Sequence, residues 1–84
     1  MDKMFLTNHY RVLEVMHQHT IPVAGQKYCP LSQEEVAKEL NLSRIFVNRV
    51  FTDLKEAGYI SMIAKGKWQL SDKANKMIDV TKKL

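Results

Sequence analysis

The pattern of apolar and polar positions between residues 32 and 57 predicts two amphipathic helices separated by a very short turn. The first helix has an apolar face formed by Val36, Ala37 and Leu40. At about 100° per residue, one arc of the second helix collects Val47, Val50, Phe51 and Leu54. Asn41 and Leu42 form the turn, with Leu42 as its apolar plug. Two helices joined this closely indicate a helix-turn-helix.

Capping residues mark the ends of both helices. Ser32 followed by Glu35 is the pattern of a capping box, in which a serine oxygen and a carboxylate satisfy each other's backbone amides. Ser43 is suited to cap the second helix, and Gly58 is suited to end it after Ala57. The caps therefore support the boundaries that the apolar pattern predicts.

The residues after Gly58 predict a β-hairpin over residues 59–70. Residues 59–63 have strand propensity, residues 64–67 form a turn, and residues 68–70 return as the partner strand. We expect a helix from about Met4 to Gln18 before the motif, and a last helix capped by Ser71. The intervening loop covers residues 20–30, and residues 27–31 are expected to add a short third strand to the hairpin.

A hairpin directly behind the second helix is the arrangement of a winged helix, and here the chain resembles known families. The stretch LSQEEVAKELNLSRIFVNRVFTDLKEAGYI is similar to the DNA-binding domains of MarR-type regulators and of the catabolite activator family. KWQLSDKANKMI looks like their wing return and closing helix. The resemblance implies a mostly helical α+β fold, a winged helix-turn-helix with a three-helix core, a β-hairpin wing and a C-terminal helix. We expect one such domain over residues 1–84.

The outward face of the second helix carries the candidate DNA contacts. We predict base contacts from Arg44, Ile45, Asn48 and Arg49, since arginine and asparagine pair with base edges and isoleucine can touch a thymine methyl group. We predict contacts to the DNA backbone from Ser32, Ser43, Thr52, Lys55, Lys65 and Lys67. The resemblance places base-reading residues at Arg44, Ile45 and Arg49, but Ile45 replaces the usual acidic residue. The preferred base sequence therefore does not carry over.

The net charge of +4 is unevenly distributed along the chain. Residues 32–58 contain four basic and five acidic side chains, whereas residues 59–84 contain six basic and two acidic ones. Within the motif the acidic residues cluster on the first helix, while Arg44, Arg49 and Lys55 lie on the second. A basic stripe beside an acidic shoulder suits a protein that docks on DNA with one face.

The residue types that usually carry catalysis or bind metals give little signal. The chain has no recognisable catalytic triad or phosphate-binding glycine loop, so we expect no enzymatic activity. Cys29 is expected to be a small buried hydrophobe, with a redox-sensing thiol as the alternative. His9, His17, His19 and Cys29 lack the spacing of a metal site, so we expect no metal or other cofactor. His9 is expected to be a hydrogen-bonded core histidine.

Localisation and partners follow from similar considerations. The chain shows no signal peptide and no apolar run of about 18 residues, so we expect a cytoplasmic protein without a membrane span. Phe46 either packs under the first helix of the motif, which is favoured, or joins Ile45 in touching thymine methyl groups. The first and last helices are expected to hold a homodimer through apolar residues that the core need not use, namely Met4, Phe5, Val15, Val80 and Leu84.

Three classes of function remain open from the sequence. The leading one is a sequence-specific double-stranded DNA-binding protein, most simply a transcriptional regulator. The second is the DNA-binding module of a plasmid or phage replication or partition system. The third is a winged helix that binds another protein, because this fold serves all three purposes.

Overall fold

Four helices and two short hairpins make up the fold, and they confirm the predicted winged helix-turn-helix. The computed structural model describes residues 8–82, so the predicted start of the first helix at Met4 lies outside the described residues. The elements in chain order are α1 (Asn8–Gln18), β1 (Ile21–Val23), β2 (Gln26–Tyr28), α2 (Gln33–Leu40), α3 (Arg44–Glu56), β3 (Ile60–Ala64), β4 (Lys67–Leu70) and α4 (Asp72–Lys82).

Both ends of α2 are fixed by local hydrogen bonds. The predicted capping box is present, since the Glu35 amide donates to Ser32 Oγ over 3.1 Å and Glu35 Oε1 accepts from the Ser32 amide over 3.0 Å. Asn41 has a left-handed backbone, with φ of +56°, which asparagine tolerates better than most residues. The next amide, of Leu42, bonds to Ala37 O, and the Leu42 side chain packs against the core as predicted.

The end of α3 turns the chain directly into the wing. The Gly58 amide bonds to Lys55 O and the Tyr59 amide bonds to Leu54 O, which is the hydrogen-bond pattern of a Schellman motif. Gly58 has φ of +81°, a conformation that glycine adopts without steric cost. Tyr59 and Leu54 are both buried in the core, which holds this change of direction in place.

The wing is the antiparallel pair β3–β4, as predicted, with its tip at Lys65 and Gly66. Ile60 pairs with Leu70 and Met62 pairs with Trp68, while a bulge at Ile63 shifts the register before the tip. The Trp68 ring meets the Phe51 ring edge-on at 5.1 Å between centroids. This aromatic pair attaches the wing to the buried side of α3.

A second hairpin, β1–β2, was not predicted from the sequence. Its two-residue turn consists of Ala24 and Gly25, both with positive φ, as the hairpin turn of type I′ requires. The third strand expected over residues 27–31 is reduced to one bridge, in which Cys29 and Trp68 exchange backbone bonds of 2.6 and 3.1 Å. Pro30 has no amide hydrogen to extend that ladder.

The buried residues form one cluster to which all four helices and the wing contribute. Val15 corrects one expectation, because it is only 6% exposed and belongs to this core instead of a free surface. Its burial follows from the position of α1, which packs against α2, α3 and α4. Three neighbouring helices cover a wider face of α1 than a single apolar stripe.

Candidate nucleic-acid interface

One face of α3 is buried and the opposite face is open to solvent, as the helical wheel predicts. Val47, Val50 and Leu54 are completely buried in the core. The open face carries every candidate DNA contact of this helix, namely Arg44, Ile45, Asn48, Arg49, Thr52 and Lys55. The buried residues hold α3 in place. The exposed side chains can therefore contact a ligand without any unfolding of the core.

The four predicted base-contacting residues surround a single shallow depression of about 450 Å³. Arg44, Ile45, Asn48 and Arg49 line it, because residues three and four positions apart are neighbours on a helix surface. Two guanidinium groups supply hydrogen-bond donors, the amide supplies both a donor and an acceptor, and Ile45 supplies an apolar surface. These are the chemical groups that distinguish base pairs in the major groove.

Asn48 is held by a partner that the sequence did not reveal. Its Nδ2 donates to Oε1 of Gln33, the first residue of α2, over 2.9 Å. The side chain keeps its own carbonyl oxygen and a second N–H. Asn48 therefore retains the acceptor and donor needed to pair with adenine, while Gln33 fixes its orientation.

The hydroxyl groups predicted to touch the DNA backbone differ in whether their O–H proton is free to donate to a phosphate. As N-caps, Ser32 and Ser43 each accept a hydrogen bond from a backbone amide. Ser43 still has its O–H proton to donate to a phosphate oxygen, whereas the Ser32 hydroxyl also hydrogen-bonds the Glu35 carboxylate. Thr52 already donates its proton to Asn48 O over 3.1 Å. A phosphate contact from Thr52 would thus require rotation of its hydroxyl group away from the helix.

A histidine on α1 contacts α3 at the edge of its exposed face. His9 Nε2 lies 2.8 Å from Asp53 Oδ2 on α3, and both side chains are partly exposed. His9 is thus hydrogen-bonded as expected, but it lies at the rim of the core. Just beyond the other end of α1, His19 Nε2 lies 3.1 Å from Glu39 Oε2 on α2. These pairs connect α1 to both helices of the motif and occupy two carboxylates beside the basic face.

The wing carries its two candidate lysines on either side of Gly66. Lys65 is exposed at the tip. The Lys67 ammonium group lies 5.1 Å from the centre of the Tyr28 ring on β2, which is cation–π distance. Tyr28 was not among the predicted functional residues, because its position beside the wing depends on the unpredicted hairpin. Phe46, by contrast, is half-buried and packs against the core, as the favoured alternative predicted.

Cys29 is completely buried, which agrees with its prediction as a small hydrophobe. Burial raises the pKa of the Cys29 thiol, chiefly by desolvation of the thiolate. The group is therefore protonated and poorly nucleophilic at neutral pH. Within residues 8–82, no three side chains of histidine, cysteine, aspartate or glutamate are grouped so that they could hold a metal ion.

The fold, the open face of α3 and the adjoining wing define a winged helix-turn-helix. Residues 9–75 match the family model of the Crp-like helix-turn-helix domain, and the chain belongs to this family. Membership supports DNA binding, and domains of this family are typically not enzymes. No curated protein and no solved structure gives a significant match to the chain. None of the helices described between residues 8 and 82 is long and apolar enough to cross a membrane.

Proposed function

We propose that this chain is a sequence-specific double-stranded DNA-binding protein that regulates transcription as a homodimer. The observation that supports it best is the depression on α3, which Arg44, Ile45, Asn48 and Arg49 line together on a solvent-exposed helix face. Residues 1–84 would form one domain, with the helix-turn-helix over 32–57 and the wing over 59–70.

In the proposed complex the N-terminal half of α3 enters the major groove. The groove is about 12 Å wide, which accommodates one helix with its side chains. Arg44 and Arg49 would each donate two hydrogen bonds to a guanine, and Asn48 would pair with an adenine. These contacts discriminate between bases because a mismatched base leaves a donor or acceptor without a partner.

The proposed backbone contacts surround this central group. Ser32 and Ser43 would donate to phosphates at the starts of α2 and α3, and Thr52 and Lys55 would follow the groove further along α3. Lys65 and Lys67 would reach the adjacent backbone from the wing. Such contacts fix orientation and make binding sensitive to salt, without carrying sequence information of their own.

The homodimer is proposed because one recognition helix reads only a few base pairs. Two copies related by a two-fold axis would read half-sites about 34–36 Å apart. Of the apolar residues predicted for this contact, Val80 on α4 is 55% exposed, while Val15 is used by the core. Met4, Phe5 and Leu84 lie outside the described residues. The dimer contact is therefore proposed around Val80.

Selection of binding sites from a random duplex library tests both parts of the proposal. We expect an enriched site with two related half-sites, and light scattering should give a mass near twice the 9.8 kDa of one chain. Val80→Glu should reduce the mass to that of a monomer. Val23→Glu, at an exposed position on β1, is the matched control and should leave the dimer intact.

Failure to enrich any sequence would remove the sequence-specific part of the proposal. Enrichment of a site without repeated halves, together with a monomeric mass on and off DNA, would remove the homodimer. Absence of any duplex binding at low salt would instead favour a winged helix that binds another protein.

A further inference from the structure

Ile45 is an apolar side chain among the polar residues of the exposed face of α3. It is 86% exposed, more than any other large apolar side chain among residues 8–82. As the second residue of α3 it stands at the end of the helix that enters the groove in helix-turn-helix proteins. Core packing does not account for this position, because the half-buried Phe46 beside it already faces the core.

The chemistry of the major groove offers this side chain one methyl group to contact. Base edges there present hydrogen-bond donors and acceptors, apart from the 5-methyl group of thymine and the much smaller C5–H of cytosine. Isoleucine has neither a donor nor an acceptor, so contact with any other edge would desolvate a polar group without replacing its partner. Contact with a methyl group removes apolar surface from water on both sides.

We propose that Ile45 recognises the methyl group of a thymine, an inference that rests on the proposed function and specifies its DNA target. Arg49, four residues further along the same face, lines the same depression. Four helical residues span about 6 Å, which corresponds to roughly two base pairs. The half-site therefore contains a thymine within about two base pairs of the guanine contacted by Arg49.

Replacement of thymine by deoxyuridine tests this contact, because it removes the methyl group and keeps all hydrogen-bonding atoms. Each thymine of the selected site is replaced in turn, and dissociation constants are measured by fluorescence anisotropy at one salt concentration. We expect one position in each half-site at which wild-type affinity falls about fourfold, the effect of one lost buried methyl group.

The variant Ile45→Ala should discriminate much less between the thymine and deoxyuridine duplexes at that position, because its shorter side chain buries less of the methyl group. Val23→Ala removes a similarly apolar exposed side chain from β1, and as the matched control it should keep the wild-type sensitivity. Thermal unfolding verifies that both variants fold, which is expected since both side chains are exposed.

The possible failures are distinguishable. If the wild-type protein binds no duplex, the proposed function falls and this inference falls with it. If it binds a specific site with no thymine–deoxyuridine difference, the inference alone is overturned. Equal sensitivity in wild type and Ile45→Ala also overturns it, because the methyl group would then act through DNA shape instead of contact with Ile45.

Discussion

The two helices of the motif, α2 and α3, have the same kind of N-cap but differ in the charge of their first turns. Each follows a serine whose Oγ accepts the amide three residues on, over 3.1 Å in both helices. In α2 the first turn contains Glu34 and Glu35. The first turn of α3 contains no acidic residue and begins with Arg44.

Under the proposed function, this difference would distinguish a supporting helix from the helix that binds DNA. The amino end of a helix carries partial positive charge, which nearby carboxylates stabilise. In α2 that charge is balanced within the protein by Glu34 and Glu35. In α3 no acidic residue of the first turn balances that charge and Arg44 adds to it, which would favour the approach of a phosphate under the proposed function. Four experiments test this distinction, in order of decreasing expected effect.

The largest effect is expected from Arg49→Ala on α3. Loss of a bidentate guanine contact costs about 1–3 kcal/mol, so specific binding should weaken about 5- to 150-fold in a titration with the selected site. Binding to random duplex should change much less. Lys38→Ala removes the same charge from α2 and is the control. Equal losses for the two variants would end the functional distinction between the helices.

The second experiment concerns the wing, whose lysines should extend the positively charged surface of α3. Each phosphate neutralised contributes about −0.9 to the slope of log K against log salt, so alanine at both Lys65 and Lys67 should flatten that slope by up to about two units. Sequence preference should be unchanged. The same double substitution at the exposed Lys76 and Lys82 of α4 should leave the slope as in wild type. An unaltered slope in the wing variant would show that the wing does not reach DNA.

The caps should differ in their cost to stability. Removal of a serine N-cap typically costs about 1 kcal/mol. We expect Ser43→Ala to destabilise the protein more than Ser32→Ala, because Glu34 and Glu35 still stabilise the start of α2 while α3 has no substitute. Urea unfolding of both variants measures the difference. A larger loss for Ser32→Ala would mean that the carboxylates contribute little.

The smallest effect should be a pH dependence confined to α2. The hydrogen bonds from Ser32 lower the pKa of the Glu35 carboxyl below its usual value of 4.5. Ionised Glu35 therefore stabilises the fold above that pH, and the contribution is lost as pH falls through the lowered pKa. Wild type should exceed Glu35→Gln in unfolding free energy near pH 7, with the difference vanishing in acid. A constant difference across this range would contradict a stabilising role for the ionised carboxylate of Glu35.

Local features of this fold could be predicted from the sequence, and non-local ones could not. Caps, apolar stripes and the turn at Gly58 depend on residues within a few positions of one another, so their chemistry is readable directly. The β1–β2 hairpin has strands of only three residues, and its turn places Ala24 in a left-handed conformation that alanine rarely adopts. That combination gave no recognisable strand signal.

The candidate site shows the same division. The open face of α3 followed from helical periodicity, whereas the supporting contacts of that face join distant segments. His9 and Asp53 are 44 residues apart, and Gln33 and Asn48 are 15 apart. Such pairs depend on how the helices pack, which no periodicity specifies. Val15 was misjudged for the same reason, since the width of the buried face of α1 depends on its neighbours.

The single cysteine of the chain also makes it possible to measure how often the contact between the β1–β2 hairpin and the wing opens. Cys29 is buried and bonded through its backbone to Trp68 on β4. A thiol reagent can modify it only when the two strands separate, so the labelling rate, relative to that of the unfolded chain, gives the equilibrium constant for this local opening. The natural sequence thus contains its own reporter of how firmly the wing is held.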